Sequence, residues 1–323
     1  LVRKSRILRL LPGPLSHLEA QIPTFDGPFF GPSKTVYPAT SPKKLTVGLL
    51  SGCVMPLMQG STMAATVRVL TRNGCDVVVP MGQGCCGALN LHSGDLKMAR
   101  RMARINIDVF LAAGVDLIVT SSAGCGSNMK EYQDLLADDP GYAEPARRFA
   151  ELTQDITEVL VSLPFDPPKA PLNRKVTYQD PCHLVHAQRI SSQPRAILNA
   201  IPGLELVEME ESSKCCGGAG IYSAAQPELS AKILGTKMGH IAATGARRSG
   251  GTVTEMRQGV YSPCNLCQTD PTKPPLWQIK AVKVIHDKNS RTIEYRDAWL
   301  EIMGFPVAYT PYLSHPDPTV KRE

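Results

Sequence analysis

The chain has 323 residues, of which 43% are hydrophobic and 20% charged, with a formal net charge of +6. This length allows two domains with cores of their own, and the mild, scattered positive charge gives no support for nucleic-acid binding. No run approaches the roughly 18 to 20 apolar residues that span a bilayer. Because the chain starts at Leu1 without a signal peptide, we expect part of a longer, cytoplasmic protein.

The first predicted elements follow a connector. Segment 1–44 is rich in Pro and Gly and is expected to be extended. Leu45 to Leu50 is an apolar run typical of a buried parallel strand, and it leads into Cys53. Alternating patterns then predict helices at 61–73, 94–113 and 144–160, with strands at 76–80 and 115–120. This alternation predicts a doubly wound, Rossmann-like α/β domain over 45–163.

Cysteines follow all three of these predicted strands. Cys53 comes after the first strand, Cys85-Cys86-Gly87 after the second and Cys125 after the third. The carboxyl ends of parallel strands meet at one edge of a sheet, where ligands gather and helix N-termini favour anionic groups. We therefore expect these cysteines to form one site.

The same arrangement returns later in the chain. Cys53 precedes its Cys-Cys-Gly triplet by 32 residues, and Cys182 precedes Cys215-Cys216-Gly217 by 33. This spacing indicates an internal duplication. Strands predicted at 174–179 and 205–209, with helices at 194–200 and 227–243, make 172–247 a second α/β domain. It is truncated, because no third cysteine appears near residue 255.

Paired, glycine-flanked cysteines favour metal ligation. Neighbouring cysteines do not easily bridge each other, whereas two thiolates suit an iron–sulfur cluster. Buried structural thiols are the alternative. The predicted cofactor is a cluster of the 4Fe–4S type, and no catalytic residue is predicted. The candidate ligands are Cys53, Cys85, Cys86, Cys125, Cys182, Cys215 and Cys216.

Other cysteines and two histidines leave alternatives open. Cys264 and Cys267 could complete the second set, but a disulfide or incidental thiols are the favoured interpretation, and Cys75 is expected to serve packing. His183 and His186 could belong to a zinc or iron site. Hydrogen bonding to a cluster from outside its ligand shell, or a plain helix start, is favoured.

The remaining segment, 250–323, has a different pattern. Short runs with period-2 alternation flank a polar turn near Asp287 to Ser290. Such runs predict an antiparallel β segment rather than more α/β structure.

Five segments carry a resemblance to a known family. They are Ser51-Gly52-Cys53, Gly84-Cys-Cys-Gly-Ala88, Ser122-Ala-Gly-Cys-Gly126, Asp180-Pro-Cys-His-Leu184 with His186-Ala187-Gln188, and Cys215-Cys-Gly-Gly-Ala-Gly220. With these residues, 1–247 resembles the iron–sulfur subunit of bacterial glycolate oxidase and the wider Cys-Cys-Gly domain family, which includes a component of heterodisulfide reductase. Because no cysteines with ferredoxin spacing precede Cys53, we expect the N-terminal ferredoxin domain typical of the glycolate oxidase subunit to be missing here.

The resemblance implies an electron-transfer subunit of a glycolate dehydrogenase-type oxidoreductase complex. A separate flavin subunit would oxidise glycolate to glyoxylate, and electrons would pass through this chain to a quinone or similar acceptor. Peripheral association with the inner face of the cytoplasmic membrane would be compatible with this role. The isolated chain is expected to be inactive. A lactate-utilisation or heterodisulfide-reductase-like component is the alternative.

A second resemblance concerns the tail. Three segments look like the periplasmic β domain of the outer-membrane lipopolysaccharide-assembly protein: Tyr261-Ser-Pro-Cys-Asn-Leu-Cys267, Pro275-Leu-Trp-Gln278 and Ser314-His-Pro-Asp-Pro-Thr-Val-Lys321. Two partial proteins joined near residues 247–251 indicate a fused gene or an artefact of sequence assembly. A non-enzymatic envelope fragment is therefore a hypothesis of another class.

Overall fold

A computed structural model describes residues 27–218, 220–245, 247–249, 253–261, 277–287, 290–302 and 305–316. The chain divides into two compact units. Among the described residues, the first unit contains 27–206 and Ser213–Ser230, and the second contains Val207–Ser212 and the chain beyond residue 230.

A five-stranded sheet organises the first unit. Its strands are β1 Val36–Tyr37, β2 Leu45–Leu49, β3 Cys75–Val78, β4 Leu117–Thr120 and β5 Thr153–Asp155, in the order β1-β3-β2-β4-β5. β2 pairs in parallel with β3 and β4, β4 pairs in parallel with β5, and β1 is antiparallel to β3. The helices between and after them are α1 Met55–Met58, α2 Gly60–Arg72, α3 Ala88–His92, α4 Leu96–Ala112, α5 Ala123–Lys130, α6 Tyr132–Leu135, α7 Ala143–Leu152 and α8 Ile156–Ser162.

Each face of this sheet packs against a separate apolar core. Successive residues of a strand point to opposite faces, so Ile118 and Val119 of β4 enter different clusters. Phe110 of α4 packs on one face and Leu70 of α2 on the other. Helices on both faces of a largely parallel sheet are the predicted doubly wound architecture, and the predicted α/β class is confirmed.

The predicted helix over 144–160 is wrong as a single element. The structure has α7, then the short strand β5, then α8. Thr153 of β5 is buried and pairs with Ile118 of β4. Asp155 then caps α8, where its side chain accepts a hydrogen bond from the Thr157 N–H, while Glu158 accepts one from the Asp155 N–H. Sheet pairing and a cap therefore interrupt the helical pattern.

The second copy is smaller. Two parallel strands, β6 Arg174–Val176 and β7 Leu204–Leu206, form its sheet. A short π-helical segment at His183–Ala187, which we call the π-turn, follows Cys182. The helices of this part are α9 Ser192–Asn199, α10 Tyr222–Ala225 and α11 Pro227–Gly245.

The second unit contains an antiparallel sheet. Its strands are β8 Arg247–Ser249, β9 Val253–Tyr261, β10 Trp277–Asp287, β11 Thr292–Ile302 and β12 Phe305–Pro316, in the order β12-β11-β10-β9-β8. Tyr295 and Ala298 of β11 are fully buried in a small apolar core of its own. The predicted antiparallel segment is thus confirmed, whereas the predicted domain boundaries stay predictions.

None of the helices in the described part of the chain combines the length and the apolar character needed to cross a lipid bilayer.

Candidate functional site

Three neighbouring strands bring the first four candidate cysteines together. Cys53 follows β2, Cys85 and Cys86 follow β3, and Cys125 lies in the first turn of α5 after β4. Since β3 and β4 lie on either side of β2, the chain reverses its direction of winding at this edge. Open parallel sheets place their ligand sites at such a point.

A cavity of about 270 Å³ opens at this edge of the sheet. Apart from the four cysteines, mainly apolar and small residues surround it. The cavity is lined by Leu50, Ser51, Gly52, Cys53, Val54, Met55, Cys85, Cys86, Ala88, Leu89, Thr120, Ser121, Ser122, Gly124 and Cys125.

The four thiols form a connected chain of contacts. The sulfurs of Cys53 and Cys85 are 3.4 Å apart. The pKa of Cys85 is lowered, first by hydrogen bonds from the Cys53 and Cys86 thiols and then by the Gly87 N–H. The Cys86 thiol likewise lowers the pKa of Cys125 to about 7. The pKa of Cys53 and that of Cys86 are raised, because these thiols donate the bonds and are partly desolvated. The pKa shifts thus run in opposite directions along the set, downward at Cys85 and Cys125 and upward at Cys53 and Cys86.

Buried polar side chains hold the Cys-Cys-Gly loop. Asn106 of α4 accepts a hydrogen bond from the Gly84 N–H (2.9 Å) and donates to the Cys85 carbonyl (3.0 Å). The Cys86 carbonyl accepts from the Tyr132 hydroxyl and from the Asn128 amide, both at 2.7 Å. These three side chains are almost fully buried, so the two cysteines are fixed against the interior of the domain.

Gln83 ties the loop to the end of β2. Its amide nitrogen donates to the carbonyls of Leu49 (3.2 Å) and Pro80 (3.1 Å), and its oxygen accepts from the Ser51 N–H (2.8 Å). The segment that carries Cys53 is thereby fixed relative to the loop that carries Cys85.

The second cysteine set repeats one detail of the first. Gly217 has φ +80° and its N–H lies 3.3 Å from the Cys215 sulfur, while Gly87 has φ +83° and its N–H lies 3.4 Å from the Cys85 sulfur. Residues with a side chain rarely adopt this positive-φ backbone conformation, which explains why both copies have glycine here. The duplicated sequence therefore forms a duplicated turn with an N–H···S contact.

The rest of the second set is less enclosed. Cys182 is hydrogen-bonded to Cys215, its sulfur lies 3.6 Å from His183 Nδ1, and its pKa is raised by partial burial. Cys216 is exposed. His186 Nε2 contacts the Ser213 carbonyl oxygen at 3.0 Å, so this histidine supports the chain that leads to Cys215.

A buried ion pair fixes the segment that precedes Cys182. Asp180 is 3% exposed and makes a bidentate pair with Arg195 of α9, with both N···O distances at 2.8 Å. The Arg195 guanidinium also lies over the Tyr178 ring, 5.5 Å from its centroid. This pair ties the segment before Cys182 to α9.

The donor set suits a cluster better than a single ion. Among the residues that the structure describes, no three His, Cys, Asp or Glu side chains form a site for one metal ion. A cluster of several irons is larger, and its thiolates need not converge on one point. Four thiols around one cavity, with a backbone N–H directed at Cys85, therefore fit an iron–sulfur group.

The fold and the site together define a class of protein. It is an α/β protein with a redox role, in which cysteines lie at the carboxyl ends of strands in each of two duplicated parts. The family model described as the cysteine-rich domain matches residues 47–130 and 176–270. The chain belongs to this family, and the predicted Cys-Cys-Gly resemblance is confirmed. The second match includes Cys264 and Cys267, which lie outside the described residues.

Curated relatives agree with this assignment. A probable glycolate oxidase iron–sulfur subunit of Bacillus subtilis (strain 168) is 40% identical over 268 residues, covering 80% of this chain and 60% of the relative. The glycolate oxidase iron–sulfur subunit of Escherichia coli (strain K12) is 34% identical over 64% of this chain and 52% of its own length. Lactate utilization protein A of Shouchella clausii (strain KSM-K16) is 34% identical, with 62% of this chain and 84% of the relative covered.

The chain thus spans 60% and 52% of the two glycolate oxidase relatives. Their names confirm the predicted class of cofactor, an iron–sulfur cluster, for the family. The resemblance of the tail to a lipopolysaccharide-assembly protein stays a prediction.

Several supporting residues were absent from the sequence-based prediction. Asn106 lies on the buried face of α4 between Ala103 and Phe110. It is the polar residue in an otherwise apolar pattern at helical spacing, and this exception could have identified it from the sequence. Asn128 and Tyr132 gave no comparable signal. Cys75 is buried in the core of the sheet, in agreement with its predicted packing role.

Proposed function

We propose that this chain is an iron–sulfur electron-transfer subunit of a complex that oxidises a small 2-hydroxy acid, glycolate being the leading candidate. The observation that carries the proposal is the cavity at the edge of the first sheet, where Cys53, Cys85, Cys86 and Cys125 meet. The relatives named as glycolate oxidase iron–sulfur subunits favour glycolate.

In this proposal, those four cysteines hold a cluster of the 4Fe–4S type. When bound, the cluster supplies one-electron transfer. The chain's own residues fix the thiolates through Asn106 and Tyr132, exclude water with the apolar cavity wall, and offer the Gly87 N–H to the Cys85 sulfur. Such N–H···S contacts and burial tune the reduction potential.

A flavin-containing subunit would be the electron donor, and a quinone or similar acceptor at the inner face of the cytoplasmic membrane would receive the electrons. The chain would not oxidise glycolate alone, since its described residues offer cysteine ligands rather than a site for the organic reaction. A lactate-utilisation or heterodisulfide-reductase-like role is the second candidate, favoured by a lactate utilization protein of which the chain covers 84%.

The second set, Cys182, Cys215 and Cys216, would hold a second cluster only with a further ligand. Cys264 and Cys267 are candidates, because the family match extends through them. Our favoured assignment leaves them out, since they lie in the segment that resembles another family. An envelope fragment, the hypothesis of another class, gives no account of the seven clustered cysteines.

The test is iron and acid-labile sulfide per chain after anaerobic purification. We expect about four irons per chain, unchanged in a Cys264→Ser/Cys267→Ser double variant and lost in Cys85→Ser. Cys75→Ser is the matched control, because this cysteine is buried in the sheet away from the cavity and should leave the iron content unchanged.

Two other results would change the assignment. About eight irons, halved in the double variant, would show that the tail completes the second site. A chain without iron under anaerobic conditions would contradict the electron-transfer proposal.

A further inference from the structure

The π-turn of the second copy packs against α5 of the first, the helix that carries Cys125. Gln188 caps the π-turn: its N–H donates to the His183 carbonyl, a bond of the i to i+5 type. The π-turn thereby places the Gln188 side chain at the start of α5.

Two contacts join Gln188 to that helix start. Its Nε2 donates to the Ala123 carbonyl oxygen at 2.9 Å, within the first turn of α5 and two residues before Cys125. Its Oε1 is buried and has no hydrogen-bond partner among the residues that the structure describes. Leaving a buried acceptor unsatisfied is unfavourable, so a role in global stability does not by itself explain this amide.

Gly126 lies under the Gln188 amide. A Cβ atom at this position would meet Gln188 Nε2 at 2.9 Å and Oε1 at 3.1 Å, with Thr120 Cγ2 at 3.0 Å. A side chain at position 126 would therefore require the Gln188 amide to shift away from the helix backbone. The residue next to Cys125 is in contact with the second copy.

The sequence contains an internal counterpart. Gln59 follows Cys53 by six residues, as Gln188 follows Cys182. In the first copy, the Gln59 side chain accepts a hydrogen bond from the Thr62 hydroxyl at 3.1 Å, a contact within its own copy. The duplication thus supplies a matched control for the contact of Gln188.

We propose that Gln188 is a positioning residue for Cys125, so that the second copy completes the cysteine set of the first. The inference rests on the proposed function, in which Cys125 is a cluster ligand. Gln188 fixes the first turn of α5, and through it the direction of the Cys125 sulfur. The first cluster site therefore needs the second copy even where that copy holds no iron.

The first readout is the rate at which a chelator removes iron. We expect Gln188→Ala and Gln188→Met, which lack the amide donor, to release iron about 10- to 100-fold faster than the unaltered chain, the usual cost of removing a supporting partner of a ligand. Gln59→Ala should leave the rate unchanged.

The second readout uses the iron-free protein. Alkylation of Cys125 by iodoacetamide, followed by mass spectrometry, should be faster in both Gln188 variants, while buried Cys75 serves as the internal reference. Gly126→Ala perturbs the same contact from the helix side, with a residue that favours helix, and should raise Cys125 alkylation in the same way.

The outcomes are distinguishable. If either Gln188 variant matches Gln59→Ala in both readouts, the positioning role is wrong. If the unaltered chain binds no iron, the proposed function fails, yet the alkylation of Cys125 still decides whether Gln188 orders the start of α5. A faster alkylation confined to Cys125 supports the proposal, whereas an equal increase at Cys75 would indicate general unfolding and overturn it.

Discussion

Asn106 is a fully buried amide on an otherwise apolar helix face, and two of its three hydrogen bonds join α4 to the loop of Cys85. One amide satisfies both the Gly84 N–H and the Cys85 carbonyl of this half-buried loop. Removing it leaves both groups of the loop without this partner, which costs more than the loss of one exposed hydrogen bond.

Asn106→Ala should therefore lower the free energy of unfolding by about 2–3 kcal/mol. Urea unfolding of the purified chain measures it. Asn90→Ala is the matched control, because Asn90 donates to Asp95 at an exposed site and its loss should cost less than about 1 kcal/mol. Equal losses in the two variants would contradict the role given to Asn106.

The role of a residue could be predicted where it shows in a regular sequence spacing. It could not be predicted where it depends on a contact with a distant part of the chain. The cysteines repeat at a fixed interval, so their grouping was visible in the chain. Gln188 lies in one of the motifs of the resemblance, but the sequence assigns it no role, because its partner Ala123 lies 65 residues earlier in the chain. Assignment of the ligands themselves stays a prediction.

At the scale of elements, the segment between β6 and α9 depends on the pair of Asp180 and Arg195. The aspartate side chain is 4% exposed and the arginine 22%. Breaking a buried pair by removing one partner leaves a charge without compensation. The order of β6, Cys182 and α9 was predictable from the pattern, whereas this pairing over 15 residues was not.

Arg195→Met should destabilise the chain by about 3 kcal/mol, since it removes the bidentate partner of a buried carboxylate. Arg147→Met is the matched control: Arg147 pairs with Glu144 at a surface where the two side chains are 51% and 72% exposed, and the change should stay within about 1 kcal/mol. Chemical denaturation of both variants provides the comparison. A loss at Arg195 no larger than that at Arg147 would refute the supporting role.

The interruption of the helix predicted over 144–160 also belongs to this scale. Local helical propensity continues through Thr153, but pairing with β4 and the cap at Asp155 decide the outcome. Pairing with a strand more than 30 residues earlier leaves no mark on a local pattern, so single-sequence reasoning misses it.

For the whole molecule, alternation of strand and helix signals predicted the α/β part, and period-2 runs predicted the antiparallel sheet. The two parts have separate cores, one set around β2 and β4 and another around Tyr295. Where one chain contains two compact units, unfolding need not follow a single transition.

We expect two unfolding transitions that do not coincide. Both tryptophans of the chain, Trp277 and Trp299, belong to the antiparallel sheet, so tryptophan fluorescence reports the second unit. Circular dichroism at the helix band reports mainly the first unit, which holds most of the helices. Urea titrations followed by both signals should give different midpoints, and superimposable curves would contradict independent units.

The four thiols differ in solvent exposure, so one side of the site faces water and the opposite side faces the protein interior. Cys53 is exposed, whereas Cys86 is 4% exposed and lies against the interior. A group held between them would touch water at one corner and remain dry at the other. If the proposed cluster is bound there, a redox partner would approach it most closely from the Cys53 side, because the hydrogen-bonded loop covers the Cys86 side.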